Sequence, residues 1–292
     1  MDFKAKSQAY RERIEEGFDT LLPPAFTRPQ RLHGAMRYSL EVGGKRLRPI
    51  LTLAMAEVYD AIADPLPAAV SVECIHTYSL IHDDLPAVDD SDLRRGSPTC
   101  HVEFDEATAL LAGDALLTYA FQLLTRAYGA NPNLAVKLIG DLSEGAGSTK
   151  LIGGQMEDIL AERSQCTEEQ LTFIHKNKTA ALVTTPIVMG LRCTKADESQ
   201  IAIAEKLGFA LGMAYQIIDD ILDATATTIQ LGKPAGLDQR NQKTTYLTFH
   251  GMDASREQAQ QYTREAIHHC QALDGDTAYL EALIASLETR IQ

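Results

Sequence analysis

Two acidic clusters stand out in this 292-residue chain: Asp83-Asp84-Leu85-Pro86-Ala87-Val88-Asp89-Asp90 and Asp219-Asp220-Ile221-Leu222-Asp223. Carboxylates this dense repel one another, so clustering them costs stability unless cations lie between them. Oxygen-only ligand sets favour hard divalent ions, and Mg²⁺ commonly links a few carboxylates to phosphate oxygens. Two such clusters facing one cavity would clamp a diphosphate through bound ions. On a helix Asp219 and Asp223 share a face, with Asp220 beside them. They close that helix, where the macrodipole is negative, a place that suits carboxylates holding a cation. In the first cluster Pro86 cannot sustain a helix, so Asp83 and Asp84 end it while Asp89 and Asp90 return from the following loop. The plain alternative is an acidic, solvated helix end paired with Arg94 and Arg95. Finding both clusters, each behind an apolar helix, favours the metal reading.

Cations stand close by. Gly43-Gly44-Lys45-Arg46-Leu47-Arg48-Pro49 joins glycine flexibility to three cations just before a helix. Backbone N–H groups there, with Lys45 and Arg48, would suit a phosphate, although such loops are often merely basic surface. Arg94-Arg95-Gly96 adds a second cationic group beside the first acidic cluster, and Lys178-Thr179, Gly232-Lys233-Pro234 and Lys243-Thr244-Thr245-Tyr246 supply more. The His82-Asp83 pair raises a rival, a metal-dependent phosphohydrolase, but such sites need further histidine ligands. The other histidines show no supporting spacing.

Helical periodicity runs almost throughout, with no convincing strand. It predicts helices near 5–20, 29–41, 47–60, 65–84, 102–128, 133–150, 168–192, 197–223, 237–250, 255–271 and 277–290. Asp64-Pro65 and Asp197 read as helix starts, and Thr167-x-x-Gln170 as a capping box. Long helices with short connections and no internal linker predict one all-α antiparallel bundle spanning residues 1–292. The breaks at 42–49, 85–100 and 224–236 fall beside the charged motifs, where a site would be built.

Lys plus Arg total 27 and Asp plus Glu 40, a net charge of −13. So acidic a chain is a poor nucleic-acid binder, and it would repel a diphosphate unless cations and metal reversed the sign locally. The five cysteines are scattered without C-x-x-C spacing and read as reduced packing residues of a cytoplasmic protein. The N-terminus lacks the apolar core of a signal peptide, and no membrane span is expected.

The motifs together resemble the trans (E) short-chain prenyl diphosphate synthases, nearest the bacterial farnesyl diphosphate synthases. The matching segments are Gly43–Pro49, Glu73-Cys74-Ile75-His76, Ser79–Pro86 and Asp92–Gly96. Downstream come Leu111–Leu116, Gly153-Gly154-Gln155-x-x-Asp158, Lys178–Leu182 and the second acidic motif with its followers. They run in order from about residue 30 to 250, and the first motif has the longer bacterial spacing, with four residues between its aspartate pair and Asp89. Tyr215 stands where phenylalanine is usual, and Thr227 where an acidic residue is common.

The resemblance implies an all-α fold around a central cavity and about three Mg²⁺, with Mn²⁺ able to substitute. Asp83 and Asp89 would ligate them from one side and Asp219 from the other, with Asp84, Asp220 and Asp223 in support. It implies that dimethylallyl or geranyl diphosphate binds Arg94, Lys178, Thr179, Gln216, Lys233 and Lys243. Isopentenyl diphosphate, without metal, would bind Gly44, Lys45, Arg48, His76 and Arg95. Lys178, Thr179 and Gln216 would serve the reacting centre, where ionisation, condensation and proton loss give farnesyl diphosphate. The departing diphosphate is the implied proton acceptor, and the enzyme a homodimer.

Product length has its own handle. Ser79 lies four residues before Asp83 and beneath it, but is too small to stop a chain. Tyr78 is bulky, yet the wheel puts it roughly 140° from Asp83, so its role as the stop rests on the resemblance; the alternative is ordinary helix packing. Geranylgeranyl or geranyl diphosphate synthesis stays open, as does a non-catalytic regulatory subunit, though such subunits typically lose one cluster that this chain keeps. A terpene cyclase would need no second-substrate residues such as Lys45, Arg48 and Arg95.

Overall fold

The computed structural model describes residues 2–162, 166–225 and 244–288. It is all-α. The helices are α1 (Phe3–Leu21), α2 (Gln30–Glu41), α3 (Leu47–Ala56), α4 (Leu66–Asp83), α5 (Cys100–Glu103), α6 (Glu106–Tyr128), α7 (Pro132–Ala146), α8 (Leu151–Glu162), α9 (Glu168–Ile174), α10 (Ala181–Arg192), α11 (Glu198–Thr225), α12 (Tyr246–Gln271) and α13 (Ala278–Glu288). A π-helical turn, His175–Ala180, joins α9 to α10.

The starts are chemical. Asp2, Asp105, Asn131 and Thr167 accept backbone N–H bonds at the heads of α1, α6, α7 and α9, as helix N-caps do. Asp197 accepts from Ser199 and Gln200 N–H, as expected. The capping box at Thr167 is half made: Gln170 donates its own side chain to Glu157 instead.

Several boundaries differ from the periodicity. The expected 133–150 helix stops at Ala146 and α8 follows it, a helix the glycines at 153 and 154 hid. The start expected near 102 splits at Phe104, and α3 ends at Ala56 rather than 60. Gly251, at φ 74°, breaks α12 where two helices were expected to part. One short hairpin also appears, β1 (Leu93–Arg94) against β2 (Ser97–Pro98), with Arg95 and Gly96 left-handed at its turn.

One continuous apolar core runs through the bundle. α4 packs on α6, α3 on α10, and α11 between α10 and α12. α6 and α11 are long and apolar enough to cross a membrane, and both bury much of that surface against the other helices. The two acidic motifs sit at the C-terminal ends of α4 and α11.

Candidate active site

At the end of α4 the chain folds back on itself. Asp89 N–H donates to Asp83 O at 2.9 Å and Ser91 N–H to Asp84 O at 3.1 Å, with Asp90 left-handed. That returns Asp89 over the helix end, as the sequence predicts. The hairpin then delivers Arg94 to Asp84: Nε donates to both carboxylate oxygens at 2.9 and 2.8 Å, and Nη2 to Oδ1 at 2.7 Å. Burial pushes the Asp84 pKa up, opposed by Arg94. Burial works to lower the Arg94 pKa, but the bond to Asp84 and the charges of Asp84, Asp83 and Asp89 outweigh it and raise it. Arg94, expected on the allylic diphosphate, is thus engaged by a carboxylate.

Across the bundle, a hydrogen-bonded chain fixes the second motif. Thr179 Oγ1 donates to Gln216 Oε1 at 2.6 Å, and Gln216 Nε2 donates to Asp220 Oδ1 at 2.7 Å. The other oxygen of Asp220 accepts Tyr246 N–H at 2.9 Å and lies 3.6 Å from His175 Nε2. The π turn puts His175 and Thr179 into this chain and presents Lys178 to Asp158 instead; such turns often mark functional sites. Apolar spacing alone could not reveal it. Asp220 and Asp223 are buried and Asp219 is partly exposed.

Helix α8 ties the two halves together. Gln155 Nε2 donates to Asp83 Oδ1 at 2.6 Å, and Asp158 accepts from Lys178 Nζ at 2.6 Å. A Cβ at Gly154 would lie 2.7 Å from Lys178 Cα, so only glycine permits this approach. Gln155 and Asp158 were seen in the sequence as a motif without a role. Their i, i+3 spacing was the signal, because on a helix it places both on one face.

The expected isopentenyl diphosphate residues also gather. Arg48 Nη1 lies 3.3 Å from His76 Nε2. Burial, then the Arg48 and Arg95 charges, holds His76 well below its ordinary pKa of 6.5, so the ring is neutral. Burial lowers Arg48 too, while Tyr215, Glu73 and Asp219 raise it. Arg95 donates to Gly43 O and packs on Gly44, which is left-handed at φ 126°. Lys45 is exposed beside them. Arg46 is not at the rim: it is buried among protein acceptors.

A cavity of about 280 Å³ joins these groups, with Arg48, His76, Tyr78, Ser79, Asp83, Lys178 and Thr179 on its walls. Tyr78 is 5% exposed, and its hydroxyl has no hydrogen-bond partner. Burial raises its pKa to about 12. Ser79 donates to His76 O at 2.8 Å. Lys233 and Lys243 lie outside the described residues.

Among the described residues no three His, Cys, Asp or Glu side chains converge to hold a metal ion. Like charges keep apart, and Asp83, Asp84 and Asp220 engage Gln155, Arg94 and Gln216 instead. The donor set is all carboxylate oxygen, which fits Mg²⁺ held by one or two carboxylates with phosphate and water completing its shell.

A family model described as Polyprenyl synthetase matches residues 29–283. The chain is 40% identical over 263 residues to a farnesyl diphosphate synthase of Haemophilus influenzae, covering 88% of each chain. It is 42% identical over 253 residues to a chloroplastic geranylgeranyl pyrophosphate synthase of Catharanthus roseus, covering 86% of this chain and 71% of the relative. Among solved structures, a Helicobacter pylori geranyltransferase complexed with magnesium and isoprenyl diphosphate superposes with a TM-score of 0.85 at 33% identity, covering 99% of this chain and 97% of that one. With the motifs in order, the all-helical bundle and these likenesses agreeing, the chain belongs to the polyprenyl synthetase family and is a prenyltransferase.

Proposed function

We propose that this chain, as a single domain, condenses isopentenyl diphosphate with dimethylallyl and then geranyl diphosphate, giving (2E,6E)-farnesyl diphosphate and releasing diphosphate. The observation that carries this reading is the wall of the cavity. Its polar end holds Arg48, His76, Asp83 and Lys178, and Tyr78 stands on the same wall, buried and without a hydroxyl partner. A side chain kept there without a polar bond is there for its bulk.

Asp83, Asp89 and Asp219 would hold Mg²⁺, with Asp84, Asp220 and Asp223 in support. When bound, the ions neutralise charge building on the leaving diphosphate. Lys178, now 2.6 Å from Asp158, adds a cation to that diphosphate, as do Arg94, Lys233 and Lys243. Arg48, Lys45, Gly44, Arg95 and neutral His76 hold the second diphosphate. Thr179 Oγ1 and the Gln216 carbonyl, fixed on each other at 2.6 Å, present weak dipoles to the allylic cation. The cavity's apolar walls keep water from it. No protein base is needed if the departing diphosphate takes the proton.

Homodimer formation is part of the reading. Exposed Leu110, Leu111, Val136, Ile152 and Met156 on α6, α7 and α8 support it. Cytoplasmic localisation is supported by the burial of α6 and α11 within the bundle. Incubation with geranyl and isopentenyl diphosphates and Mg²⁺ tests the whole: farnesyl diphosphate supports it, and a dominant geranylgeranyl product would favour the chloroplast-type relatives instead.

A further inference from the structure

The Gly43–Pro49 loop offers its cations in an order that the structure divides. Lys45 is exposed and Arg48 lines the cavity, both in the proposed second diphosphate subsite, while Arg46 between them turns inward and is 3% exposed. It does so from a left-handed backbone, φ 52°, which a residue with a side chain rarely adopts. Three elements hold it there. Nη1 donates to Glu73 Oε1 on α4 at 3.0 Å, Nε to Glu15 Oε1 on α1 at 2.8 Å, and Nη2 to Leu40 O on α2 at 2.6 Å. Its guanidinium also lies 4.9 Å from the Phe18 ring centre.

Glu73 is 1% exposed and stands one turn before His76 on α4. Two rungs therefore run from the loop to α4: Arg46 to Glu73 and Arg48 to His76. The second rung belongs to the subsite; the first touches no cavity residue and has no assigned role. Burial lowers the pKa of Arg48 and of Arg95, and the charge of Glu73 opposes that in both. A buried arginine fork with fixed partners is a geometric device that lysine cannot copy.

We propose that the Arg46–Glu73–Glu15 rung, buried at Arg46 and Glu73, is the positioning element of the isopentenyl diphosphate subsite: it sets the Gly43–Arg48 loop against α4 and so governs affinity for the substrate bound without metal. Arg46 and Glu15 are positioning residues and touch neither substrate. This inference rests on the proposed function above, because the subsite it positions is assigned there.

Steady-state kinetics of three variants test it. Arg46→Lys keeps the charge but loses the fork. It should raise KM for isopentenyl diphosphate about tenfold, with kcat and KM for geranyl diphosphate within about twofold of wild type. Glu15→Ala removes one hold at a half-exposed position, where folding is not at risk, and should raise the same KM about threefold. Because Glu15 acts only through Arg46, the double variant should match Arg46→Lys alone. If Arg46→Lys does not fold, Glu15→Ala still decides the matter.

Equal shifts in both substrates' KM would overturn the proposal, as would an isopentenyl KM unchanged in Glu15→Ala, or additive effects in the double variant. The two readings fail separately. A wild type that releases no diphosphate from these substrates sinks the function, whereas an active wild type with unresponsive variants sinks only the positioning role.

Discussion

Replacing Tyr78 by alanine opens the cavity without stranding a partner, because its hydroxyl has none. The variant should lengthen the product from farnesyl to geranylgeranyl diphosphate or beyond, read by chromatography of the released alcohols. A folded, active Tyr78→Ala that still stops at farnesyl would place the floor elsewhere. The helical wheel sets Tyr78 far from Asp83, yet both line one cavity. The wheel measures angle around one helix, whereas the cavity wraps that helix and is closed by α8 and α10. At the same scale, Asp219→Ala should cut kcat by about a thousandfold while circular dichroism stays unchanged. Near-normal turnover at limiting Mg²⁺ would count against ion binding there. His76 supplies a pH test. Its folded pKa is depressed well below 6.5 by burial and the Arg48 charge, so the unfolded chain takes the proton first. Stability is therefore full above pH 6.5 and is lost as pH falls toward the folded value. Urea midpoints should drop on acidification below that point, and the drop should shrink in His76→Gln; an unchanged drop would mean that other groups cause it.

Among the elements, α8 decides how the site halves are held. Gly154 lets it approach the Lys178 backbone, leaving no room for a Cβ. Gly154→Ala should cost about 1–3 kcal/mol of stability through overpacking and lower kcat by moving Lys178. Thermal unfolding and single-turnover rates check both, and a variant as stable and active as wild type would show that the close approach is dispensable. The same glycine hid α8 from the sequence, since paired glycines read as a breaker when they serve a close contact. By contrast α4 and α11 were legible: both acidic motifs end long apolar helices as their spacing requires. The π turn was not, because its six residues, His175–Ala180, are nearly all polar and carry no apolar spacing in which a change of period could show. The burial of Arg46 was not legible for a related reason. A basic glycine loop looks like surface, and its partners Glu15, Leu40 and Glu73 come from three helices that sequence proximity does not connect.

Over the whole molecule the charge balance runs against the substrate. A chain of net charge −13 sets Arg48 and Lys178 on the cavity wall beside Asp83, with Lys178 already paired to Asp158, so a diphosphate there calls for bound cations to offset the carboxylates. Outside it, Leu111 on α6 is 57% accessible, and in the proposed homodimer it would lie at the interface. Leu111→Glu should shift sedimentation from dimer to monomer, and an unchanged dimer would put the interface on another face. Product analysis of the wild-type enzyme tests the central claim most directly. Incubated with Mg²⁺, isopentenyl diphosphate and geranyl diphosphate, it should yield (2E,6E)-farnesyl diphosphate as the dominant product with stoichiometric release of diphosphate. No diphosphate release, or a product that passes farnesyl and accumulates as geranylgeranyl diphosphate, would contradict it.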